Sequence, residues 1–148
     1  MKAVLQRVTH ASVKVEGQII SKIGLGLVIL LGIAPEDTPE YARALAEKIA
    51  LLRIFEDDQG KMNLSALDVG AKAIVVSQFT LFADTSRGRR PSFIGAAKPD
   101  HAEPLCDLFI DYLVQAGVPT QNGIFGAHML VEIDNEGPVT ILLDYPIE

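Results

Sequence analysis

Gly26-Leu27-Val28-Ile29-Leu30-Leu31-Gly32-Ile33-Ala34 is an apolar run with no polar residue to give it a wet face. Such a run, opened by Gly24 and Gly26, reads as a strand covered on both sides, at the centre of a sheet. It is too short to span a bilayer. Met1-Lys2 leads straight into strand-like sequence with no apolar leader core. A cytoplasmic protein with no membrane partner is therefore expected.

Upstream, Ala3 to Val15 alternates, with Ala3, Leu5, Ala11, Val13 and Val15 on one face and Arg7 and Thr9 interrupting it. Glu16-Gly17 predicts a hairpin turn into a strand over Gln18 to Ile23. Downstream, Thr38-Pro39-Glu40 opens a helix by capping hydroxyl, first-turn proline and acid. Ala73 to Gln78 reads as another buried strand. A second helix with capping-box spacing from Asp100 to Glu103 runs to Gly117. Met129 to Ile133 and Val139 to Leu143 read as two strands joined by Asp134-Asn135-Glu136-Gly137-Pro138.

The expected fold is a single α/β mixed-sheet domain over residues 1–148, two β-sheets arranged like a barrel, with two main helices packed on one side. Two helices cannot cover about seven strands. A second sheet and a second subunit are expected to complete the cover. The chain has 148 residues, 49% hydrophobic and 22% charged, which excludes disorder. Thirteen Lys and Arg against nineteen Asp and Glu give a net charge of −6. That balance argues against a grip on long nucleic acid, so no DNA partner is expected. The lone Cys106 fits a reducing compartment.

No metal-ligand spacing, Walker loop, nucleophile elbow or dinucleotide motif occurs, so neither metal nor cofactor is expected. Asp57-Asp58 reads as a solvated turn and Cys106 as a packed thiol. Three places invite chemistry. Ser77-Gln78-Phe79-Thr80-Leu81 is a strand running out into polar residues, a frayed end or a ligand site. Arg87-Gly88-Arg89-Arg90-Pro91 is a solvated basic loop or a small phosphate site. Gly137-Pro138 is a turn, and X-Pro bonds admit the cis form. Arg7, a charge on an apolar face, needs a partner, for which turn carbonyls would serve.

Together these elements resemble the D-aminoacyl-tRNA (D-tyrosyl-tRNA) deacylase family. The resemblance rests on Ser77-Gln78-Phe79-Thr80-Leu81 and Asn135-Glu136-Gly137-Pro138-Val139-Thr140, with Gln6-Arg7-Val8-Thr9, Gly88-Arg89-Arg90-Pro91-Ser92-Phe93 and Phe125-Gly126-Ala127 between and before them. It implies a homodimer that hydrolyses the ester joining a D-amino acid, or glycine mischarged on tRNA-Ala, to the terminal adenosine of aminoacyl-tRNA. It also implies a cis Gly137-Pro138 turn, oriented by Arg7, that enters the partner's site and excludes L side chains. The N–H groups of Phe79 and Thr80 would stabilise the oxyanion, with help from the ribose 2′-hydroxyl. The Thr80 hydroxyl is the rival nucleophile, and no adjacent base activates it. Adenosine would lie among Phe79, Ala102, Phe125 and Met129, with polar contacts from Ser77 and Gln78. Arg87, Arg89 and Arg90 would meet tRNA phosphates. His128 stands where the family commonly has Asp. The competing expectations are a non-enzymatic dimeric nucleotide-binding module and a trans-Gly-Pro variant that removes L-alanine.

Overall fold

The computed structural model describes residues 1–147. In chain order it contains β1 (Lys2–Val15), β2 (Gln18–Ile23), β3 (Gly26–Gly32), α1 (Pro39–Leu51), β4 (Phe55–Glu56), β5 (Met62–Leu64), α2 (Ala66–Val69), β6 (Lys72–Ser77), α3 (Pro99–Gln115), β7 (Thr120–Asn122) and β8 (Leu130–Asp144). A single 3-10 turn, Phe79–Phe82, follows β6.

The main sheet runs β2-β1-β3-β6-β7, and β8 pairs with β1 along its other edge. The β3 strand is antiparallel to β1 and parallel to β6, which puts the opening apolar run in the middle of the sheet, as expected. One face of this centre packs Leu27, Ile29, Leu31, Ala73 and Val75 against Leu45 and Ile49 of α1 and Leu105, Phe109 and Leu113 of α3. The opposite face buries Val8, Ala11, Val13, Ile23, Val28, Ile74 and Val76.

The barrel-like arrangement is as expected, but the curl of the main sheet, not the second sheet, covers that second face. The sheet curls until its end strands meet, and Met129, Val131 and Ile133 pack over the interior. Side chains close the seam between β2 and β7: Ser21 Oγ donates to the Asn122 carbonyl at 2.6 Å, and the Gln121 amide brackets the Lys22 backbone at 2.9 and 3.0 Å. The separate second sheet is only the β4-β5 pair. Curling satisfies the strand edges and buries the spare face in one operation.

Two local expectations need correction, and one short helix is added. The α3 helix starts at Pro99 with Lys98 as an N-cap lacking a side-chain bond, so the Asp100–Glu103 box does not form. Proline at the first helical position, with its φ preset, fixes the start instead. A short α2 escaped notice, although Ser65 and Asp68 form a true capping box around it. Finally, residues 134–138 lie inside one long β8 rather than linking two strands. β8 stays paired to β1 on both sides of the segment, absorbing it as register shifts opposite Arg7 to Thr9.

Candidate active site

The parallel strands β3 and β6 end side by side. The Gln78 N–H donates to the Leu31 carbonyl at 2.8 Å, one step beyond β6, and the chain then turns sharply into the 3-10 turn. Gly32 makes that turn possible. A Cβ there would lie 2.9 Å from the Phe82 ring, 3.1 Å from the Gln78 carbonyl and 3.3 Å from Leu81 Cβ. The turn can seat on β3 only because residue 32 has no side chain. The sequence reading missed Gly32, although a glycine inside an apolar strand is itself a sign of close backbone approach.

A cleft of about 620 Å³ opens at these strand ends. Ser77, Gln78, Phe79, Ala102, Phe125 and Met129 all line it, so six expected site residues converge on one space. Phe79 is 56% exposed and meets Phe93 edge-on at 5.1 Å between ring centroids. The Ala97 N–H donates to the Ile33 carbonyl at 2.8 Å and holds the facing wall. Met129 lies directly over Gly123, where a Cβ would fall 2.5 Å from its sulfur. His128 also lines the cleft and is exposed.

Among the described residues, the N–H groups of Phe79 and Thr80 have no protein acceptor, being the first donors of their turn. They are free to meet a ligand oxygen. The Gln78 side-chain amide donates to Thr80 Oγ1, and no other group among the described residues bonds that hydroxyl. An amide donor cannot take a proton from Thr80, so nothing here activates it as a nucleophile. Cys106 is buried behind Ser77, and burial pushes its thiol up to about 12. It is an inert packed thiol at neutral pH.

The Gly137-Pro138 turn lies elsewhere. Arg7, only 2% exposed, donates through Nε to the Glu136 carbonyl at 3.3 Å and through Nη1 to the Ile54 carbonyl at 3.0 Å. Its Nη2 also reaches the Glu136 carboxylate at 3.1 Å and Glu56 at 3.5 Å. One carbonyl of the turn, that of Glu136, does serve the buried charge; the Ile54 carbonyl and the Glu56 and Glu136 carboxylates were not foreseen. Asn135 Oδ1 accepts the Val139 N–H at 3.1 Å, and buried Val139 roots the far side. Gly137 has φ +125°, the Gly137-Pro138 bond is cis, and both residues are exposed.

Neither turn residue lines the cleft of its own chain. The last β8 residue to line the cleft is Val131, and Gly137 comes six positions later, about 20 Å along an extended strand. The expected residues thus fall into two separate groups. A third group, Arg87, Arg89 and Arg90, is exposed on the loop between the 3-10 turn and Phe93. Among the described residues, no cluster of three or more His, Cys, Asp or Glu could hold a metal ion. No described helix is long and apolar enough to cross a membrane.

Fold and cleft define a small α/β domain with an open cleft at its strand ends, where such domains place ligands. The family model described as D-Tyr-tRNA(Tyr) deacylase matches residues 4–144, and the chain belongs to that family. The D-aminoacyl-tRNA deacylase of Deinococcus deserti is 57% identical over 146 residues, covering 99% of this chain and 100% of that one. A solved structure described as a c-Myc DNA unwinding element binding protein superposes with a TM-score of 0.93 at 44% identity, covering 99% of this chain and 100% of that one. A probable eukaryotic D-amino acid tRNA deacylase shares the fold, with a TM-score of 0.82 at 17% identity over 96% of this chain and 97% of that one.

Proposed function

We propose that this protein hydrolyses the ester between a D-amino acid and the 3′-terminal adenosine of tRNA, working as a homodimer. The observation that carries the reading is the separation of cleft and turn within a chain whose family is named for this reaction. A turn that does not line its own cleft, yet is anchored on a buried guanidinium, fits insertion into the cleft of a second copy.

In this arrangement the adenosine packs between Phe79, Ala102, Phe125 and Met129, apolar surfaces suited to a base and a ribose. The ester carbonyl faces the free N–H groups of Phe79 and Thr80, which stabilise the negative charge as water adds. The ribose 2′-hydroxyl positions that water. The Gly137 and Pro138 carbonyls of the second copy accept hydrogen bonds from the substrate ammonium. They occupy the space into which an L side chain would project. A D side chain points outward, and glycine, having none to exclude, passes as well. Rejection by exclusion leaves the abundant L substrate unbound, which suits a proofreader. The site functions without a nucleophilic Thr80.

The test is hydrolysis of D-tyrosyl-tRNA and L-tyrosyl-tRNA by the purified protein. Release from the D substrate alone is expected, and equal or absent release from both contradicts the reading. The name of the 44%-identical structure favours a second reading, a nucleic-acid binder without turnover. Multiple turnover on the D substrate, lost on filling the cleft, excludes it.

A further inference from the structure

The lip of the cleft carries groups that a bound adenosine would not use. Phe93 closes on the Phe79 ring, and the next residue, Ile94, stands 90% exposed. Immediately upstream, the loop from Asp84 to Ser92 is tied at its base by two backbone hydrogen bonds of 2.8 and 2.9 Å. Asp84 Oδ1 accepts the Ser86 N–H at 2.9 Å inside it. Arg87, Arg89 and Arg90 therefore project from a braced loop. These three and Lys98, which lines the cleft, have no ion-pair partner among the described residues, as is true also of Lys22, Lys48, Arg53, Lys61 and Lys72; what sets the loop apart is three such cations within four residues.

Unpaired cations on a loop that closes two residues before a bare apolar side chain suit single-stranded nucleic acid. Phosphates meet the cations, and a base face covers the apolar group. Resting on the deacylase reading above, we propose that Ile94 and the Arg87–Arg90 loop form a second nucleotide subsite. It takes the base and phosphate of the nucleotide that precedes the terminal adenosine. Ile94 then acts as a step over which the strand bends, with the last nucleotide in the cleft and the previous one on the lip.

The experiment compares the D-tyrosyl ester of adenosine alone with D-tyrosyl-tRNA, for the wild-type protein and Ile94→Asp. The substitution is expected to raise KM for the tRNA about five- to tenfold, with kcat unchanged and a much smaller loss on the adenosine ester. Arg89→Ala should reduce the slope of log KM against log salt by about 0.7 on the tRNA alone. An equal loss on both esters, or none on the tRNA, overturns the subsite. A change in sedimentation of Ile94→Asp would assign Ile94 to contact between copies and overturn it too. Failure of the wild-type protein on both esters would instead remove the deacylase reading, and the subsite with it.

Discussion

At the cleft, the free polar groups are backbone N–H donors on a 3-10 turn seated on a glycine, beside the apolar side chains of Phe79, Ala102, Phe125 and Met129. At the Gly137-Pro138 turn, a buried guanidinium spends its donors on one turn carbonyl, one carbonyl beside β4 and two carboxylates. The cleft is shaped by what is missing at Gly32 and Gly123. The turn is held by what is present at Arg7. The two ends should therefore fail differently: the cleft through small displacements, the turn through loss of its anchor.

Arg7→Met is expected to do most damage. It leaves the Ile54 and Glu136 carbonyls without their donor and frees the turn, costing about 2–4 kcal/mol of stability. Denaturant midpoints check this, and hydrolysis should fall by more than about 10²-fold. Gly137→Ala separates geometry from anchoring. Its Cβ would meet Val139 Cγ2 at 2.9 Å and Arg7 Nη2 at 3.3 Å, at a φ that suits only glycine. The expected loss is about 10²-fold in kcat/KM, with the fold retained by circular dichroism. Gly32→Ala probes the other end by pushing the 3-10 turn off β3. Single-turnover rates should drop about tenfold as the oxyanion donors shift, at a stability cost of about 1–3 kcal/mol. Thr80→Val should matter least, lowering kcat by no more than about tenfold. Loss by several orders of magnitude would instead mark Thr80 as the nucleophile.

The same contrast explains what the sequence made legible. The central strand, both main helices and the Glu16-Gly17 hairpin follow from apolar spacing and local turn chemistry, which act over a few residues. Arg7 stood out because a charge on the face of Ala3, Leu5 and Ala11 demands a partner. What could not be read is long-range. Whether the spare sheet face meets a second sheet or its own far strands depends on Ser21 and Lys22 finding Gln121 and Asn122 about a hundred positions away. Likewise, residues 134–138 look like a link between strands because Asn, Gly and Pro favour turns. Pairing to β1 on both sides overrides that local preference. Ser77 to Leu81 stood out as a strand running out into polar residues, Ala102, Phe125 and Met129 came only through the family resemblance, and Gly32 was missed, since a missing side chain has meaning only beside its neighbours.

Complementation between two inactive subunits tests the two-copy site most directly. Ala102→Trp fills the cleft, and Gly137→Ala disables the turn, each nearly abolishing hydrolysis of D-tyrosyl-tRNA by itself. In a mixed dimer, one site joins an intact cleft from one copy with an intact turn from the other. Co-refolding equal amounts should restore about a quarter of the wild-type rate, since half the dimers are mixed and each carries one working site of two. A rate that stays at the sum of the two separate variants would contradict the shared site.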